Sequence, residues 1–411
     1  MSAEFDLRLL DEEPPTPSTV DVQRAVADGR RRRARRGAGY AGAATLTEFA
    51  VVGASVAAGG LFTGGLPVAG PPVASGSPKA YTIPGTAWKA PAATAPTGCT
   101  LERLPVPDNA PMALTAGADP SGRYIVGRSY PKGGGYQAVI WHDGKATKVM
   151  MPGDEEELLK DVNSTGTAVG WSYQGTDPVP YVYRDGQVSQ LPGVSRGSAL
   201  AINDAGAIVG DDSAGAPLVW PSATAQPIRL PLPAGASAAA ANDIDEDGTV
   251  VGTIDRKLPY VWFADGTHRA LPLPTLEGKP AVSARVFSIR NGWATGLAST
   301  STDPEKGMDP GKNAMAGPIR WNVRTGEVRV FGELAGRAST ANAQGWLIGT
   351  DKQGRAALAT GTAVVPLAGL SGHQPGGLSD IPTTLSDDGR VISGQSDDAS
   401  GTIQAVVWRC Q

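Results

Sequence analysis

The sequence predicts an all-β fold, a seven-bladed β-propeller over residues 99–411, and three observations carry that expectation. A unit marked by a turn glycine, a second glycine, a Trp and a closing Leu-Pro recurs seven times at steps of 40–53 residues. The last unit lacks a fourth strand, while a surplus strand stands ahead of the first. The chain's two cysteines flank that gap. Gly 54 and Pro 34 supply the turns that many short strands need and that a helical protein does not tolerate.

The clearest unit runs ALAINDAGAIVG from Ala199, then PLVW from Pro217 and IRLP from Ile228. Each piece is a short strand and the residues between are turn formers, so one unit makes four antiparallel strands. Repetition at this period signals a propeller. The second glycine recurs at Gly127, Gly170, Gly210, Gly252, Gly296, Gly349 and Gly394. The aromatic position holds Trp141, Tyr183, Trp220, Trp262, Trp321, Ala359 and Trp408. A Trp at this place packs between neighbouring blades.

The seventh unit stops just after its third strand, Ala405–Trp408, whereas Leu101–Pro105 has the pattern of a fourth strand and precedes the first unit. The N-terminal strand is therefore expected to complete the last blade and remove an exposed edge. Cys99 and Cys410 fall where other blades carry the turn between strands three and four, as at Asp185–Gly186. A Cys99–Cys410 disulfide would replace that turn and suits an oxidising compartment.

Upstream lies a different kind of sequence. Residues 1–36 form a polar tail ending in Arg30–Arg33, Arg35 and Arg36. Phe49–Gly70 carries no charge over 22 residues, enough at about 1.5 Å per residue to cross a hydrocarbon core. A transmembrane helix over 46–70 is expected, with arginines placing the N-terminus in the cytoplasm and the propeller outside. A cleaved signal peptide and a non-membrane segment are the alternatives. Residues 71–98 read as an extended Pro/Ala/Gly-rich linker.

The stretches DVNSTGTAVG, AINDAGAIVG and DIDEDGTVVG resemble the HAF-type repeat of bacterial extracellular proteins. The resemblance covers about residues 114–409, although the family's namesake tripeptide is replaced by QAVIW, PLVW and PYVW. It implies an extracytoplasmic propeller and no particular activity. The N-terminal pattern is similar in composition to single-pass actinobacterial membrane proteins.

Chemistry-bearing residues are sparse. Asp243, Asp245, Asp247 and Gly248 spell DxDxDG, whose alternating carboxylates can hold Ca²⁺; the twelfth position is Ile254 rather than Glu, and the stretch aligns with the ordinary turn at Ile202–Gly206. Gly193–Ser195–Gly197 matches GxSxG without the strand-to-helix setting of a nucleophile elbow. His142, His268 and His373 have no metal spacing. Asp154–Glu157 is an acidic run that reads as a solvated loop.

The longer loops between strands two and three offer partner-binding candidates. They are Tyr130, Lys132 and Tyr136 in blade one, and Asp303, Lys306 and Asp309 in blade five. A net charge of -4 excludes a global argument for nucleic acid. The expectation is a membrane-anchored scaffold binding a protein or glycan at the cell envelope, with no required cofactor. An envelope hydrolase or lyase with an axial site, and a passive spacer, are the alternatives.

Overall fold

Seven four-stranded antiparallel sheets stand in a ring in the computed structural model, which describes residues 81–133, 135–153, 156–304, 314–371 and 379–411, without the side chains of 336 and 337. The basic tail, the expected membrane helix at 46–70 and linker residues 71–80 lie outside the described residues, as do Asp154, Glu155, Lys306, Asp309 and His373. Among the described residues no helix is long and apolar enough to cross a membrane.

The innermost strands of blades one to seven are Met112–Ala118, Glu157–Val162, Gly197–Ile202, Ala239–Ile244, Ser283–Arg290, Leu334–Ala341 and Asp380–Leu385. Each touches the innermost strands of both neighbours, and blade seven meets blade one, so these strands surround the axis. Blade seven takes its outer strand from the N-terminal side: Cys99–Arg103 pairs antiparallel with Ile403–Cys410, Cys99 opposite Cys410. The two sulfurs are bonded at 2.10 Å. A hairpin not evident in the repeat pattern, Thr275–Leu276 with Lys279–Pro280, joins blades four and five.

The recurring glycine has a steric cause. Every innermost strand bulges at the same height, where its pairing with strand two slips by a residue, as between Thr115 and Gly117, Leu159 and Asp161, or Ala241 and Asp243. The glycine of strand two sits against that bulge. A Cβ on Gly127, Gly170, Gly210, Gly252, Gly296 or Gly394 would drive into the carbonyl oxygen of the innermost strand. In blades four, five and seven it would also meet the ring of the blade's own Trp.

Trp and Leu-Pro turn out to be one device. Trp141, Trp220, Trp262, Trp321 and Trp408 are all fully buried. Each indole N–H donates to a carbonyl on the link leaving the preceding blade: Pro105 (2.7 Å), Pro192 (2.9 Å), Pro231 (2.8 Å), Pro272 (2.7 Å) and Ala368 (2.7 Å). The ring thus buries a large apolar surface between blades while the one polar atom finds a partner. The apolar clusters follow the same seams. One joins blades three and four through Val209, Val219 and Trp262; another joins four and five through Val251, Val261 and Trp321.

Candidate functional site

The ring has two unlike faces. The turns between strands one and two, and between three and four, make one of them, the turn face. The loops between strands two and three, with the links between blades, make the other, the loop face.

On the turn face the Asn and Asp residues of the repeat stitch blade to blade. Asn163 Nδ2 donates to Asn203 O at 3.2 Å, Asn203 to Asp245 O at 3.3 Å and Asn291 to Ala343 O at 2.9 Å. Asn342 donates to Ser386 O at 3.2 Å, and Asp387 N–H to Pro120 O at 2.8 Å joins blade seven to blade one. The DxDxDG carboxylates belong to this stitching and do not converge on one point. Asp243 accepts from Ile289 N–H at 2.7 Å. Asp245 accepts from Asn291 and Gly292 N–H at 2.9 and 2.6 Å. Asp247 accepts from Arg324 at 3.0 Å. All three tie blade four to blade five, which is the work of a turn. No group of three His, Cys, Asp or Glu side chains among the described residues could hold a metal ion.

Arg290 closes the axis at this end. It reaches from blade five to Asp387 of blade seven with bonds of 2.6–3.1 Å, and to Glu246 of blade four at 2.8 Å. Burial opposes its charge, but the two carboxylates hold its pKa above the ordinary guanidinium value. Trp88 lies over the guanidinium, 4.4 Å from ring centroid to Cζ.

Trp88 belongs to an extended strap, residues 81–98, that crosses the turn face. Tyr81 and Ile83 are buried among blades three and four. Asn203 donates to Pro84 O at 2.9 Å, and Thr86 N–H donates to Glu246 O at 2.6 Å. Further on, Gln344 donates to Pro91 O at 2.7 Å, and Thr97 N–H to Gln411 O at 2.7 Å, two residues before Cys99. The segment has no periodicity because it forms no sheet. Its order comes from side chains and carbonyls on turns that sequence reasoning had no way to bring together.

Inside the axis, the bulge of blade two turns Lys160 toward the lumen. Its ammonium makes no hydrogen bond or ion pair among the described residues. It feels the charges of Asp161 and of Asp243, two blades away. Asp161 accepts from Ile202 N–H at 2.9 Å. Burial, then the charge of Asp243, pushes its pKa up to about 8; burial, then the charge of Asp245, pushes Asp243 up to about 7. Lys160 was missed in the sequence because it is the residue that the bulge adds to the strand.

The loop face carries two further features. In blade one, buried Arg128 donates to Tyr130 Oη at 2.8 Å and to Glu156 at 2.7 Å, with the Tyr136 ring 4.5 Å from its Cζ. Tyr130 and Tyr136 pack edge to face at 4.8 Å, so these two candidates are brought together, with Lys132 exposed beside them. In blade three, a cavity of about 420 Å³ opens between the blade two–three link and the outer strand. Ser195 of the GxSxG match lines it. Asp303 lies at the start of the blade-five loop.

No family model matches the chain and no curated protein does either. Among solved structures it is similar to "YCF48 bound to D1 peptide", with a TM-score of 0.42 and 13% identity over 78% of this chain and 99% of that one. At that score the likeness assigns neither activity nor partner.

Proposed function

We propose that this chain is a membrane-anchored extracytoplasmic propeller whose loop face binds a protein or glycan at the cell envelope. One observation carries the reading: the turn face is already occupied. The strap covers it, Arg290 with Trp88 blocks the axis there, and the chain enters on that side at Tyr81. Among the described residues no comparable strap crosses the loop face. A disulfide that completes the ring suits an oxidising compartment, and the HAF-like units agree with export.

The test is capture from membranes by the tagged full chain, compared with a variant in which the blade-five loop, 300–315, is shortened and a variant carrying Y130A and Y136A. Loss of a specific partner in either, with the fold intact, supports the reading. A partner captured equally by both variants, or a propeller inaccessible to labelling from outside intact cells, overturns it.

A second reading, an envelope hydrolase or lyase, draws on the axial group of Lys160, Asp161 and Asp243, since perturbed titrating groups in a lumen suit acid–base work. Both carboxylates also accept hydrogen bonds from the next blade, which a purely structural role requires. Loss of a measured hydrolytic activity in Lys160→Met would favour this reading.

A further inference from the structure

The blade-three cavity has features that neither the ring's closure nor the blade seams call for. Its volume of about 420 Å³ lies in the range of small-ligand sites. It is lined by Arg196, Arg229, Asp212, Ser195, Ser213 and Gln226, with Leu218 at its apolar wall. The two guanidiniums are held in place from the side. Arg196 Nε lies 3.2 Å from Asp177, and Arg229 Nη2 lies 2.7 Å from Asp212.

Asp212 has work of its own. Asp212 Oδ1 accepts from the backbone N–H groups of Ala214 and Ala216 at 3.0 and 2.9 Å, which shapes its own loop, and Oδ2 takes Arg229. Each arginine therefore keeps most of its five donors for something else. The hydroxyls of Ser195 and Ser213 and the amide of Gln226 make no side-chain hydrogen bonds within the described residues. The cavity thus offers two braced cationic forks, two hydroxyls and one amide, and its one carboxylate, Asp212, is already taken up by Arg229 and the loop N–H groups.

We infer that this cavity binds a sugar carrying an anionic group, a carboxylate or a phosphate. Planar guanidiniums pair with an oxyanion through two parallel bonds. The hydroxyls and amide both donate and accept, as ring hydroxyls of a saccharide require. The volume exceeds what a lone carboxylate side chain needs. An acidic protein segment would leave the amide and the apolar wall unused, so a glycan is the better match. The inference rests on the loop face being the binding face and names the ligand class for part of it.

The experiment titrates the full chain with a hexuronate tetrasaccharide, a hexose 6-phosphate, a neutral glucose tetrasaccharide and polyglutamate. Saturable binding of the uronate or the phosphate that weakens with rising salt is expected, and the two arms tell which anion is preferred. Arg196→Ala and Arg229→Ala should each weaken it by about 10- to 100-fold, the worth of lost charge-assisted hydrogen bonds. Both arginines are solvent-exposed, so folding should survive, and an unchanged melting curve checks this. Gln226→Ala serves as a second, uncharged variant with a smaller loss. Equal affinity for the neutral saccharide, preference for polyglutamate, binding unaffected by both arginine changes, or no binding of either anionic sugar would each overturn the inference. Partner capture by the blade-one and blade-five loops would survive those failures, so the two readings fall separately.

Discussion

Replacing Cys99 and Cys410 by Ser should lower stability far more than a surface disulfide would, without opening the ring. The bond joins positions 311 apart, and the loop-entropy relation for a loop of that length gives about 6 kcal/mol of constraint on the unfolded chain. The folded state loses little, because Cys99–Arg103 stays paired residue for residue with Val406–Cys410 and Leu104 stays buried. For a domain of this size about 2 °C follows each kcal/mol, so the melting temperature should fall by about 12 °C. The assay is thermal and urea unfolding of the full chain, oxidised, reduced and as the double Ser variant. Trypsin is added at low temperature to test whether Arg103 becomes accessible. A shift within about 1 °C would refute the loop-entropy argument. Rapid cleavage at Arg103 in the folded variant would refute the claim that strand pairing alone holds the ring shut.

Three further outcomes are expected. Trp262→Ala removes a fully buried ring and leaves the Pro231 carbonyl without its donor, and should cost about 3–5 kcal/mol by urea unfolding; Trp262→Phe should cost less. Arg290→Met strands Asp387 and Glu246, buried at 4% exposure each, and should cost about 3–5 kcal/mol while quenching changes report the release of Trp88. Asp161 has its pKa raised from 3.8 to about 8 in the folded chain, so between these values the folded state holds a proton that the unfolded chain has given up. Stability must then fall as pH rises through that window. Asp161→Asn keeps the acceptor for Ile202 N–H, so urea midpoints at pH 5, 7 and 9 should show a shallower decline than the parent; an unchanged slope would place the titration elsewhere.

The features legible in the sequence are those that recur. The recurring glycines are visible because the bulges leave no room for a Cβ at six of them, and Trp with Leu-Pro is visible because one hydrogen bond repeats in five blades. The missing strand and the two cysteines were readable because a repeat defines what is absent from its last copy. Single-copy features were not. Arg290 meets Asp387, 97 residues on, only because a ring brings blade seven near blade five. The strap has an extended linker's composition, and nothing in Ala93 or Pro91 foretells which carbonyls and turns it will meet. The DxDxDG pattern shows the opposite limit: alternating carboxylates suggest a cation, but the backbone N–H groups of the next blade claim two of them and Arg324 claims the third. At the blade-one loop, Tyr130 and Tyr136 were readable as candidates by loop length, whereas Arg128, the side chain that organises them, sits inside a strand and carries no such signal.

The indole bond is absent at two places, since blade two has Tyr183 and blade six has Ala359 where the others have Trp. The circle is therefore two arcs, blades two to five and blades six, seven and one, meeting at a pair of fault lines. Each is bridged by other means: Arg128 to Glu156 across the first, and Arg320 to the Gly345 carbonyl across the second, where the strap also runs from Trp88 to Gln344. If the molecule breathes, it should part along these two lines, and amide exchange should be fastest on the strands that border them.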